Sequence, residues 1–278
     1  MESLKNRFPI KSLCKVLGIS RASYYKWCHR ETPEYEVFNN NLRDEILRIY
    51  HKYNGIYGYR RIYIYLRLYT RFQVNHKRVQ RIMKRSGLKA VIRQSRRSYK
   101  PSTPEITALN VVNREFDRSD KTPVWLTDVT EIKLRNGQKV YLSAIYDLQS
   151  KKILSHEISK RNNNELVFHT LKKAQALYDT EGIILHSDRG FQYTSRAFRQ
   201  KLHAAGMTQS MSRVGRCIDN GPMEGFFGLL KSEIFKGKSK IFDDYDHAEK
   251  ELTKYIKFFN KERISLKMAA LIQAQPSN

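Results

Sequence analysis

Apolar positions fall into two regimes along the chain. Up to about residue 90 they recur at helical spacing; beyond about residue 120 they come in strand-length runs separated by amphipathic helical stretches. In the first regime Leu13, Val16 and Leu17 share one side of a predicted helix over 10–17, and Gly18 supplies a turn. Ser20 then stands as the cap of a second helix over 21–30, a helix-turn-helix pattern. Phe38, Leu42, Ile46 and Ile49 carry a longer helix to the break at Asn54-Gly55, and a helix over 59–69 follows. Asn75 caps another, with Val79, Ile82 and Met83 on one face and Gly87 at its end.

The second regime predicts strands over 124–134 and 139–148, joined across Asn136-Gly137, a strong two-residue turn signal, and a third over 152–159. Leu166, Val167, Leu171, Ala174 and Leu177 then mark a helix over 164–178. A strand over 182–187, a helix over 195–205, a short strand over 207–212 and two further helices complete the pattern. The last helix, about 244–260, has Ala248, Leu252, Tyr255, Ile256 and Phe259 apolar. Three antiparallel strands, a helical crossover and a further strand predict an α/β fold of the RNase H-like kind, preceded by all-α segments. The expected division is a helix-turn-helix-like segment over 1–32, a helical region over 36–92, a linker with two prolines over 93–120, a core over 121–238 and a C-terminal helical segment over 239–278.

Charge changes the picture of the helical half. The chain has 52 Lys and Arg against 27 Asp and Glu, a formal +25, which points to polyanionic partners. Residues 46–104 hold 16 of those basic residues and no acid. Arg60, Arg61, Lys77, Arg78, Arg81, Lys84 and Arg85 fall in this stretch, and like charges without acidic partners repel unless an anion neutralises them. Nucleic acid is the expected partner, and the interleaved tyrosines are expected in the core or as phosphate donors. No apolar run approaches the ~20 residues that span a bilayer, and the first residues lack a signal peptide's apolar stretch, so a cytoplasmic, nucleoid-associated protein is expected. Cys14, Cys28 and Cys217 are scattered, with no zinc or disulfide spacing.

Three acids supply the candidate chemistry. Asp128 interrupts a strand, where a buried charge needs a partner. Asp188 stands at a strand end, and Glu224 in the first turn of a helix expected to be capped by Asn220. Spacing alone, with 35 residues between Asp188 and Glu224, is weak evidence; the three settings together are strong. The helix buries Met223, Phe227, Leu230 and Ile234, which sends Glu224 to the sheet's rim and leaves Lys231, two turns on, within reach of a phosphate. An all-oxygen ligand set of Asp128, Asp188 and Glu224 suits a pair of Mg2+ or Mn2+ ions. His186 is expected to line the same cleft.

The segments Trp125 to Thr130, His186 to Thr194 and Asp219 to Gly228 resemble the three catalytic blocks of DDE transposases, best those of the insertion-sequence-3 family, relatives of retroviral integrases. Tyr57 to Ile62 and Lys77 to Met83 resemble that family's helical DNA-binding region. The resemblance implies Asp128, Asp188 and Glu224 as ligands of two ions, with Lys231 as the basic residue that follows the glutamate. It also implies cleavage at the terminal inverted repeats of a mobile element, then direct attack of the freed 3'-hydroxyl on target DNA by in-line transesterification. A homo-multimer on DNA is implied, together with an upstream helix-turn-helix and zipper product of the same element, from which members usually continue as a fusion. The ending Ala270 to Pro276 departs from the family's pattern. A non-catalytic DNA-binding remnant or regulator would use only the helical half and leave the three acidic blocks without a role.

Overall fold

The computed structural model describes residues 4, 6–31, 33–91, 122–212, 220–235 and 241–265. The predicted linker over 93–120, Cys217, Asp219 and the divergent ending lie outside them. Five helices come first: α1 (Ile10–Val16), α2 (Arg21–Cys28), α3 (Glu34–Lys52), α4 (Tyr59–Tyr69) and α5 (His76–Arg85). Two caps act as the sequence predicts: Ser20 Oγ accepts from the Ser23 amide and Asn75 Oδ1 from the Lys77 amide. Helices α3 to α5 enclose a core of Leu42, Ile46, Ile49, Tyr57, Ile62, Leu66, Val79 and Met83. Tyr53 and Tyr57 are inside it, stacked with centroids 4.3 Å apart.

The first helical pair departs from its predicted packing. Val16 is 84 % exposed, Leu17 is exposed as well, and the buried residue of α1 is Cys14. Two short helices cannot close a core of their own. Val16, Leu17 and Tyr25, with Phe8, Ile19 and Trp27, remain on the surface.

The second half contains β1 (Val124–Lys133), β2 (Lys139–Asp147), β3 (Ile153–Ser159), α6 (Asn164–Gln175), β4 (Ile184–Ser187), α7 (Phe191–Thr194), α8 (Arg196–Ala204), β5 (Thr208–Met211), α9 (Gly221–Phe235) and α10 (Tyr245–Lys261). The strands form one mixed sheet in the order β3-β2-β1-β4-β5. β1 pairs antiparallel with β2 through the Asn136-Gly137 turn and parallel with β4, which pairs parallel with β5. Helix α6 ends sooner than its apolar spacing suggests, and Leu177 is 69 % exposed beyond it.

Alternation along the strands divides the core. Trp125, Leu185 and Ile183 face α6 and α8, with Leu171, Phe198 and Leu202. Val124, Leu126 and Ile184 face α9 and α10, with Met223, Phe226, Leu230, Leu252 and Ile256. The C-terminal helix packs into the sheet's own core through Ala248, Leu252, Tyr255 and Ile256. Beyond it Ile264 enters the helical unit's core, where its amide donates to Tyr57 Oη, 3.1 Å.

Candidate active site

Two of the three candidate acids are brought together by strand register. The β1–β4 ladder runs Val124↔Ile184 to Thr127↔Ser187, so Asp128 and Asp188 are the next positions along two parallel neighbours. They have the same parity as Leu126 and His186, which puts both on the α9 side of the sheet. Glu224 comes from the first turn of α9, exposed while its neighbours Met223, Phe226 and Phe227 pack on the sheet. The predicted Asn220 cap is not what holds this helix end. Asn220 is buried and its Nδ2 donates to the Thr127 carbonyl, 3.3 Å, which ties the start of α9 to β1 one residue before Asp128. Its Oδ1 is buried with no hydrogen-bond partner.

Electrostatics also group the acids. Burial first, then Asp188 and Glu224, raise the Asp128 carboxyl to about 7, against the pull of the Val129 amide and Lys231. Burial, then Asp188, raises Glu224. Asp188 reaches solvent as a residue, yet crowding of its carboxyl by protein still raises it, opposed by the Gly190 amide. Local bonds fix two orientations: the Val129 amide donates to Asp128 Oδ1 at 2.7 Å and the Gly190 amide to Asp188 Oδ1 at 2.9 Å. Tyr193 is fully buried behind β1, its hydroxyl 3.3 Å from Thr127 Oγ1; burial, then Asp128, keeps that phenol neutral. In the sequence this support is marked only by an aromatic residue five positions after Asp188.

Among the described residues, no group of three or more His, Cys, Asp or Glu side chains is closed up as a metal cage. Mg2+ is commonly bound through one or two carboxylates with water and substrate phosphates completing its shell, so two adjacent aspartates facing a glutamate fit such ions. Crowded carboxylates that resist ionisation are also what a divalent ion would relieve.

His186 does not line the cleft. It is completely buried between strands, with Nδ1 2.9 Å from Ser210 Oγ and Nε2 3.1 Å from Ser212 Oγ on the β5 side. Arg61, expected on DNA, is turned inward. Its side chain is 16 % exposed and its Nη1 lies 3.3 Å from Glu233 Oε1, an anion it shares with Arg263. Arg60, Lys77, Arg81, Lys84 and Arg85 are exposed and Arg78 is half-buried; Lys231 is exposed on α9.

Two consequences can be measured. Asp128 binds its proton more tightly folded than unfolded, so this group favours the folded state below the ordinary carboxylate range, and the benefit is lost as pH rises through about 7. Without divalent ions, wild-type melting temperature should drop relative to Asp128→Asn between pH 5 and 8, by several degrees. A parallel pair of profiles would remove the buried-charge account. At Gly190, an added Cβ would meet Gln192 Oε1 at 3.0 Å and Asp188 Oδ1 at 3.1 Å. Gly190→Ala should displace the Asp188 carboxyl and slow strand cleavage about 10-fold or more, with DNA binding unchanged.

The mixed sheet, the neighbouring acids on its central parallel pair β1 and β4 and the basic helical unit ahead of it are those of an integrase-type polynucleotidyl transferase. Comparisons with known proteins agree. A family model described as an integrase core domain matches residues 120–217, a second of that description matches 224–274, and an HTH-like domain model matches 38–96. The InsK protein of insertion sequence element IS150 from Escherichia coli (strain K12) is 36% identical over 280 residues, covering 100% of this chain and 96% of that protein. The transposase of insertion sequence element IS904 from Lactococcus lactis is 33% identical over 241 residues, covering 85% of this chain and 93% of that one. Among solved structures, the HTLV-2 integrase catalytic core domain in complex with magnesium is 17% identical with a TM-score of 0.40, covering 52% of this chain and 91% of that chain, too loose a likeness to add weight. The chain belongs to the insertion-sequence-3 family of transposases. It is an enzyme of DNA transposition with an integrase core, and it binds DNA.

Proposed function

We propose that this transposase cuts and joins DNA at the ends of its element through Asp128, Asp188 and Glu224, with two Mg2+ or Mn2+ ions as cofactor. The observation that carries the proposal is the parallel register that sets Asp128 beside Asp188 on the face covered by the helix bearing Glu224. Bound there, the ions would polarise the scissile phosphate and lower the cost of an oxyanion nucleophile and leaving group. The chain's own part is positional. The Val129 and Gly190 amides hold one oxygen of each aspartate, and neither amide engages the other oxygen. Asn220 fixes the start of α9 against β1. Lys231, close enough to act on Asp128, supplies a positive charge for a phosphate next to the reacting one. Arg60, Lys77, Arg78, Arg81, Lys84 and Arg85 hold the duplex; Arg61 is left out because its guanidinium is committed to Glu233.

The substrates are the terminal inverted repeats and a target duplex. Two ends must be processed and joined together, so at least two copies should assemble on DNA, with the upstream product of the element as a further partner. The test is incubation of the protein with labelled element-end DNA and Mg2+. Nicked and joined products support the proposal, cleavage without joining would make it a hydrolase, and binding without chemistry would leave only the regulator reading.

A further inference from the structure

We infer that the hollow between α3 and α5 is a clamp for a run of DNA backbone phosphodiesters. This rests on the reading of the helical unit as DNA-binding; the residues of α3 that it adds lie within the HTH-like match, which gives none of them an individual role. The hollow encloses about 490 Å3 and is lined by Asn39, Asn40 and Arg43 from α3 and by Arg78, Arg81 and Arg85 from α5. The three α5 arginines sit at i, i+3 and i+7 and so share one face of that helix. Asn39, Asn40 and Arg43 recur at one turn's spacing and form the opposite wall.

Four guanidiniums therefore surround one open volume whose lining contains no carboxylate. Arg43 bonds only its chain neighbour Asp44, at 3.2 Å, an exposed pair worth little. Arg81 and Arg85 make no ion pair among the described residues. Arg78 is already set in place: its Nε donates to Asn39 Oδ1 at 3.0 Å and its guanidinium lies 4.6 Å from the centre of the Phe38 ring. An amide and an aromatic face orient that cation without neutralising it, which suits a group waiting for an anion.

The ligand is a polymer rather than a single ion. From Arg78 to Arg85 the wall extends about 10 Å at 1.5 Å per residue, longer than one phosphate. Exposed Lys77 and Lys84 continue the positive surface on the same helix. Guanidinium forks match phosphate oxygens, and backbone contacts of this kind set register and orientation without reading sequence.

The experiment is equilibrium binding of labelled duplex across a salt series, with melting temperature as the check on folding. The proteins compared are wild type, the double variant Arg81→Gln/Arg85→Gln, Asn39→Ala and the α10 surface variant Lys250→Gln. Wild type should give a log–log slope of roughly −5 to −7 for six to eight phosphate contacts. The double variant should be shallower by about 1.8 and bind about 10- to 100-fold more weakly near 0.1 M salt. Asn39→Ala changes no charge and should still weaken binding several-fold by freeing Arg78. Lys250→Gln should match wild type. An unchanged slope in the double variant, or an equal loss in Lys250→Gln, overturns the clamp. These readouts need no catalysis, so absence of cleavage by the wild-type protein would sink the proposed chemistry while leaving the clamp to be judged separately.

Discussion

Asp188→Asn is expected to lose strand cleavage and joining by about 10^3-fold or more, on the order of 4 kcal/mol of transition-state stabilisation, while binding element-end DNA at least as tightly as wild type. The substitution is nearly isosteric, and an amide oxygen still accepts the Gly190 N–H that now bonds Asp188 Oδ1 at 2.9 Å. The strand end should therefore keep its shape. What disappears is one negative charge of the pair set side by side by the β1–β4 register, and with it the proposed hold on divalent cations. Removing that charge also lessens repulsion of the phosphate backbone, so affinity should not fall. Gel assays of nicked and joined product, run beside a binding isotherm, measure both halves. Chemistry within 10-fold of wild type would end the proposal for Asp188.

Glu233→Ala is expected to be the most destabilising single substitution in the helical face of α9, at about 3–5 kcal/mol. Glu233 has a fully buried side chain, and three groups converge on it. Arg263 Nη2 reaches Oε1 at 2.6 Å and Nε reaches Oε2 at 3.0 Å, Arg61 Nη1 reaches Oε1 at 3.3 Å, and Tyr255 Oη donates to Oε2 at 2.8 Å. The two arginines are not equivalent. Burial opposes the charge on Arg263, but its bonds to Glu233 outweigh that and raise it; burial and then Arg263 itself lower Arg61. The two-bond geometry identifies Arg263 as the principal partner. Alanine would leave both guanidiniums buried without an anion, whereas replacing the ionic trio with apolar residues of similar volume should cost much less. Urea midpoints at constant m-value measure the loss. Because α9 also carries Glu224, catalysis should fall with stability.

Much of this was written in local pattern. The Asn136-Gly137 hairpin, the Ser20 and Asn75 caps and the strand-by-strand alternation depend on neighbours a few residues apart, so sequence carries them. Glu233 is legible in part: it follows Phe226 and Leu230 at i+7 and i+3, an acid on a buried stripe, and such an acid implies cationic partners. Arg61 looked like one more basic residue of a helix, and nothing near it in sequence marks its partner 172 positions away. His186 had the composition of a cleft residue but lies on a strand that is covered on both faces. Val16 and Leu17 had helical spacing without a neighbour to bury them.

By itself the chain determined its elements, its excess of positive charge and the identity of three acids in unusual settings, because each follows from residue chemistry and short-range geometry. Which of those charges meet was decided only by tertiary structure. Parallel pairing put Asp128 next to Asp188, and the fold brought Arg61 of α4 from the surface into an ion pair with Glu233 of α9. The reason is physical: a charge's role depends on what surrounds it within a few ångströms, and in a folded sheet those surroundings come from distant parts of the chain.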